Sequence, residues 1–296
     1  MLRRCLALLS VRLVWALAFN SMAANPTSRI PVEFLEGLIW VKVHDSIRCQ
    51  SLQFLLDSGA SHSVLDHRTA IGLGLPMGSA VAVRGVGSTA TGYAPIPWQA
   101  RLGDVALTNH FLVLDLSSLS KTCGRQVDGL IGADFFRNRI VEIDYGSREL
   151  RLLDESPPHD DSRAVPMAMG PRGVSILGSV NGSRHQPLRV DTGCATALHW
   201  VSETTSSRAC PGPPSTGLSA VSIRQTLAGI RLGPHHLDTI PTGIHRKPIF
   251  AGEAGLLGNG LLAMFGVVTF DSRSQLLHLG PRQSRQGGAN RTPTAE

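Results

Sequence analysis

The 296-residue chain is poor in charge and in aromatics: Asp, Glu, Lys and Arg make up 17% of it, and Phe, Trp and Tyr 5%. So few charges argue against a disordered or coiled-coil chain, and 42% apolar residues with 31 glycines suit a folded, turn-rich β protein instead. No run of Lys and Arg interleaved with aromatics occurs, so nucleic acid is not an expected partner. His-Glu-x-x-His and Cys-x-x-Cys spacings are missing, so His235-His236 reads as a solvated loop, and no metal or other cofactor is expected. A Gly-x-Ser-x-Gly elbow is also missing, and without it Ser61, His62, Ser63 and Asp66 do not make a hydrolase triad. "GVGSTATG" lacks dinucleotide-binding spacing, and Asn181 of "NGS" is explained by a turn.

Long apolar runs are scarce too. The opening "MLRRCLALLSVRLVWALAFNSMAAN" has an Arg-bearing start, the short apolar run Leu13 to Phe19, and small residues with Ser21 and Ala23 placed for cleavage. That is the layout of a secretory signal over residues 1–23. The run is far shorter than the roughly 20 apolar residues of a membrane span. An exported protein, periplasmic or secreted, with no stable span after cleavage is therefore expected, an uncleaved anchor being the alternative. Removing residues 1–23 takes away three arginines and no acids, so the formal charge falls from +6 to +3. Cys49, Cys123, Cys194 and Cys210 remain, an even number that permits two disulfides; pairing within each half, Cys49 with Cys123 and Cys194 with Cys210, is the first expectation.

What the chain does have is an arrangement written twice. "GLIWVKVHDSIRCQSLQFLLDSGAS" from Gly37 is two apolar runs joined by a polar turn and ending at Asp57. "GVSILGSVNGSRHQPLRVDTGCAT" from Gly173 repeats this with an Asn181-Gly182 turn and ends at Asp191. An Asn-Gly pair between apolar runs is a strong hairpin signal. Each is followed at similar distance by a matching segment. "VDGLIGADFFRNRIVEIDYGSRELRLL" has Gly132 75 residues after Asp57 (132 − 57), and "EAGLLGNGLLAMFGVVTFDSRSQLLHL" has Gly258 67 residues after Asp191 (258 − 191). Both read as a short strand, a glycine, a helical turn and a closing hairpin. The expected organisation is a lobe over 28–155, a Pro-bearing linker over 156–165, a second lobe over 166–281 and a disordered tail over 282–296. Helical periodicity is confined to "DHRTAIGLGLP" and "GADFFRN", so the chain is predicted to be mainly β.

A single Asp-Ser/Thr-Gly triplet would arise by chance about 0.2 times in such a chain and could simply cap a turn. Two triplets, each ending an apolar strand, are a different matter, because a strand end is a costly place for an unpaired carboxylate. If the halves pack about a pseudo-twofold axis, Asp57 and Asp191 meet and share one proton over a wide pH range. Such a pair can take a proton from water while donating one to a substrate carbonyl, hydrolysing an amide with no covalent intermediate. Gly59 and Gly193 would let the backbone approach the pair, and the hydroxyls of Ser58 and Thr192 would bond across the axis.

"DSGASHSVL" and "GLIGADFF" resemble the active loop and the paired apolar-Gly segment of the retropepsin- and pepsin-type aspartic peptidases, the bacterial retropepsin-like proteins especially. The resemblance spans roughly Val32 to Leu279. It implies two pseudo-twofold-related β-barrel lobes with a central cleft, Asp57 and Asp191 as catalytic pair, and Ser58, Gly59, Ala60, Thr192 and Gly193 as the loops supporting it. It also implies a hairpin flap at "VRGVGSTATGY", with Gly85, Val86 and Gly87 in the flap and Tyr93 as a substrate-facing aromatic. The partner would be a peptide or protein in extended conformation, bound by a monomer, since one chain carries both triplets. Cys194 stands where that family has a small or hydroxyl side chain, and Ala133 and Asn259 replace a retroviral-style arginine. A peptide-binding protein that keeps the fold without turnover is the competing reading.

Overall fold

A computed structural model describes residues 26–85, 88–108, 110–156, 163–202, 210–211 and 224–282. The signal expected over 1–23, residues 283–296 of the expected tail, and Val86 and Gly87 of the flap lie outside the described residues.

Both repeated segments form hairpins. Leu38–Asp45 runs antiparallel to Ser51–Leu56, and Gly173–Val180 antiparallel to Gln186–Asp191. In the second, Asn181 and Gly182 take φ of 50° and 74° inside a turn closed by Ser183 N–H to Val180 O at 3.0 Å. Two left-handed central residues give a turn whose twist matches that of the strands, hence the Asn-Gly pair. In the first, Asp45 holds the wider loop, accepting Ile47 N–H at 2.9 Å and Trp98 Nε1–H at 2.6 Å.

The strand that ends at each Asp flanks the central, apolar-Gly strand of a three-strand set. Ser51–Leu56 lies parallel to Gly129–Ile131, which is antiparallel to Val64–Asp66. Gln186–Asp191 lies parallel to Gly255–Gly258, which is antiparallel to Leu198–Val201. Strands covered on both faces read as continuous apolar runs rather than as alternation. That accounts for "FLL", with Phe54, Leu55 and Leu56 all buried.

The closing hairpins do something no local pattern announces: they pair with each other. Ile140–Asp144 of the first half runs antiparallel to Val267–Asp271 of the second, with Val141 opposite Phe270 and Ile143 opposite Val268. Glu149–Leu153 and Leu276–Leu279 flank them, and Pro26–Pro31 and Val165–Gly170 complete a six-strand bridge. Phe136 packs on Phe270 with ring centroids 5.0 Å apart, so the cores of the halves are continuous here. The architecture is mainly β, with two lobes of barrel-like sheets.

Short helices stand at His67–Gly72, Ala133–Phe136 and Asn259–Leu262, the first inside "DHRTAIGLGLP". A further helix, Ser117–Cys123, was not expected; it has no buried residue and ends on Gly124 in the left-handed conformation (φ 59°). Its polar, stripe-free sequence gives no helical period to read.

The expected disulfides are corrected: Cys49, Cys123 and Cys194 are free thiols. Cys49 sits exposed in the loop beyond Asp45, while Cys123 packs on the cluster around Trp40 and Leu55 at the other end of that hairpin. The four residue steps from Trp40 to His44 alone span about 13 Å of strand, well beyond disulfide reach. Cys194, half-buried, has its sulfur 3.2 Å from Thr196 Oγ1. The side chain of Cys210 lies outside the described residues.

Candidate active site

The two Asp-bearing loops interlock. Ser58 Oγ donates to Val190 O at 2.8 Å and accepts Thr192 N–H at 3.1 Å. Reciprocally, Thr192 Oγ1 donates to Leu56 O at 2.8 Å and accepts Ser58 N–H at 2.9 Å. Both hydroxyls are fully buried. Four hydrogen bonds related by a pseudo-twofold thus satisfy backbone groups that strand pairing leaves open.

The glycines complete the interlock. A Cβ added to Gly59 would lie 2.4 Å from Asp191 Cγ, and one added to Gly193 would lie 2.5 Å from Asp57 Cγ. Each carboxyl therefore occupies the space that a side chain on the opposite loop would fill. Gly37 and Gly173, where the two repeated segments begin, cross over in the same way. Gly37 (φ 75°) packs on Ala195 of the second loop, and Gly173 (φ 116°) on the carbonyls of Ser58 and Gly59 in the first.

Asp57 and Asp191 are hydrogen-bonded to each other. Asp57 Oδ1 also accepts the N–H groups of Gly59 at 3.0 Å and Ala60 at 2.9 Å, and Asp191 Oδ1 accepts that of Gly193 at 2.9 Å. Loss of hydration pushes both carboxyls up. For Asp57 the Ala60 and Gly59 N–H groups and the bond from Asp191 pull back down. For Asp191 the charge of Asp57 and their shared bond add to the rise, which takes it well above the usual carboxylate range. A pair that shares one proton is the chemical consequence.

Cys194 keeps its proton as well: burial and then the neighbouring Asp191 charge push its thiol up to about 12. Its backbone braces the loop, Cys194 O accepting Asn259 N–H at 2.8 Å, as Ala60 O accepts Ala133 N–H at 2.8 Å in the first half. At the flap, Gly85 ends the strand Ala80–Gly85 and pairs with Ser88 across the tip. Tyr93 is not near that tip: it pairs with Ala80 at the hairpin base and stacks on His67, centroids 5.3 Å apart. The expected flap aromatic is thus committed to the helix His67–Gly72. Asp66 caps that helix through Arg68 N–H and Thr69 N–H, which leaves the Ser61–His62 contact without a third member.

Near the pair, the roles of Asn259, Arg189 and Glu253 were not anticipated from the sequence. The fully buried Asn259 donates to Gly37 O at 2.9 Å and Thr192 O at 2.6 Å, and takes Tyr145 O–H at 2.8 Å. Arg189 is buried two residues before Asp191 and grips Glu253 with two bonds, Nε to Oε2 at 2.8 Å and Nη2 to Oε1 at 2.7 Å. An arginine inside the apolar run "PLRVD" was the available signal, since a buried guanidinium demands an anion. Among the described residues no group of three or more His, Cys, Asp or Glu is arranged to hold a metal, and no helix is long and apolar enough to cross a membrane.

This is the fold of the pepsin- and retropepsin-type aspartic peptidases. A family model described as Aspartyl protease matches residues 41–135, which take in the first Asp loop and "GLIGADF". Among solved structures, the crystal structure of an aspartic proteinase from Irpex lacteus is similar, at 14% identity and TM-score 0.56. The likeness covers 86% of this chain and 97% of that one. A search of curated proteins returns no match.

Proposed function

We propose that the chain is an aspartic endopeptidase in which Asp57 and Asp191 hydrolyse peptide bonds through an activated water. The observation that carries this reading is the carboxyl pair, each member packed against the other loop's glycine and the two joined by a hydrogen bond. The Asp57 carboxylate takes a proton from water as its oxygen attacks the peptide carbon, and the Asp191 acid donates its proton to the carbonyl oxygen. The resulting gem-diol collapses with proton transfer to the amide nitrogen, the C–N bond breaks, and the pair returns to its singly protonated state. No bond forms between enzyme and substrate.

Substrate is an extended peptide segment lying between the lobes as an added strand, closed over by the hairpin Ala80–Gly85 and Ser88–Ile96. The protein acts as an exported monomer, periplasmic or secreted. The test is cleavage of an unfolded protein at mildly acidic pH by the protein lacking residues 1–23, alongside Asp57→Asn and Asp191→Asn. Cleavage abolished by either substitution supports the reading. Wild type and variants that bind peptide alike, without cleavage, overturn it in favour of a binding protein.

A further inference from the structure

The pseudo-twofold fails at one place directly behind the pair. Leu55 and Arg189 each stand two residues before an Asp, on strands that correspond. Leu55 is buried in an apolar cluster with Trp40, Val64 and Leu130. Arg189 is equally buried, yet it reaches across to the first loop and donates Nη1–H to Gly59 O at 2.7 Å. Its guanidinium is held by the two bonds to Glu253 and lies 3.7 Å over the ring of Phe250. A planar fork fixed on two sides and one face has little freedom left.

The carbonyl it grips belongs to the Gly59–Ala60 peptide. The N–H end of that same planar unit is the one that donates to Asp57 Oδ1 at 2.9 Å. A cation on the oxygen end of a peptide polarises it and strengthens donation from the nitrogen end. Ala60 N–H and Cys194 N–H each also reach the backbone oxygen of their own Asp at 3.2 Å, but the second half shows no counterpart to the bond from Ala60 N–H to the carboxylate, and a leucine at the mirror position has no donor. Asp57 Oδ1 thus holds two N–H groups where Asp191 Oδ1 holds the one from Gly193.

We infer that Arg189 is a positioning residue that breaks the equivalence of the pair, making Asp57 the carboxylate and Asp191 the acid through the Gly59–Ala60 peptide. The inference rests on the reading of the pair given under Proposed function. The charged and titratable groups around this arrangement are Glu253 on the loop before Gly255–Gly258, the two aspartates, Cys194 beside Asp191, and Arg172, which bonds Ala251 O on the same loop as Glu253. The proximity of Arg189 lowers both carboxyls, in keeping with its placement.

The test compares wild type with R189M/E253Q, which removes cation and anion together so that neither is stranded, and with R189K. Titration of the aspartate carboxyl carbons by NMR is read beside the pH profile of peptide cleavage. In R189M/E253Q the lower of the pair's two titrations moves up by about one unit, the size expected for losing an adjacent cation. The acidic limb of kcat/KM moves with it, and kcat at low pH falls about tenfold while KM holds. R189K, which keeps the charge but not the fork, shows a smaller upward move, and it decides the matter alone if the double variant does not fold. Titrations that stay where wild type has them overturn the role of Arg189. If wild type cleaves nothing, the enzyme reading fails instead, and the carboxyl titrations still judge Arg189.

Discussion

Gly59 and Asp191, 132 residues apart (191 − 59), are in contact so close that a methyl group on the glycine would lie 2.4 Å from the carboxyl carbon. The mirror contact joins Gly193 and Asp57 at 2.5 Å. Backbone and carboxyl fill the same small volume from opposite halves, so neither can move without the other.

Gly59→Ala and Gly193→Ala therefore each push the carboxyls apart. Both variants are expected to lose peptide cleavage by at least about a hundredfold and to unfold about 2 kcal/mol more easily in urea. Gly72→Ala is the control. It is helical, a Cβ there meets nothing within 4 Å, and the change should be neutral or stabilising by up to about 1 kcal/mol.

The interlocked hydroxyls make a second prediction. Ser58→Ala strands the buried Thr192 N–H, and Thr192→Val strands the Ser58 N–H and one acceptor at Leu56 O. Each single change should cost about 1–3 kcal/mol by urea unfolding. The double change should cost about the sum, because the two hydroxyls make four separate bonds and share none, and any departure from the sum measures coupling between the loops. Thr192→Ser keeps the hydroxyl and should stay close to wild type.

Acid should weaken the fold through a buried histidine pair. His199 Nδ1 and His245 Nε2 are 2.8 Å apart, and Thr196 Oγ1 is 2.6 Å from His199 Nε2. Burial first, and then His245, lower His199 to about 4, while burial lowers His245. With the folded value below the unfolded value of about 6.5, the neutral ring favours the folded state. That contribution is complete above pH 6.5, fades as pH falls through 4, and amounts to about 3 kcal/mol for His199. Urea midpoints from pH 7 to pH 4 should fall in wild type, and fall less in His199→Gln.

The thiols differ in reach. In the native protein iodoacetamide should modify the exposed Cys49 first, the half-buried Cys123 more slowly, since burial raises its pKa, and Cys194 hardly at all. Peptide mapping without reductant should find no Cys49–Cys123 link.

Much of the fold was legible because its signals are local. "VNGS" dictates a left-handed two-residue turn, and "FLLD" an apolar strand ending on a carboxylate. "GLIG" and "GLLG" dictate a buried strand followed by a glycine, where a Cβ on Gly132 would lie 2.3 Å from His62 C and one on Gly258 2.2 Å from Thr196 O. Helix Ser117–Cys123 was not legible, because an exposed helix needs no apolar stripe. Nor was Tyr93, whose partner His67 is 26 positions away (93 − 67) in a different kind of element. The cysteine count misled, since an even number of thiols says nothing about whether their Cα atoms come within bonding range.

By itself the sequence determined two strand-end carboxylates, the hairpins that deliver them and the glycines that leave them room, for each of these rests on a few adjacent side chains and backbone angles. Only the tertiary structure decided that Ile140–Asp144 pairs with Val267–Asp271, that Ser58 and Thr192 exchange hydrogen bonds, and that Arg189 crosses to Gly59 while Leu55 does not. Those contacts join residues 123 (267 − 144) to 134 (192 − 58) positions apart, and which of them form depends on how the buried polar groups of both halves find partners when the cores close together.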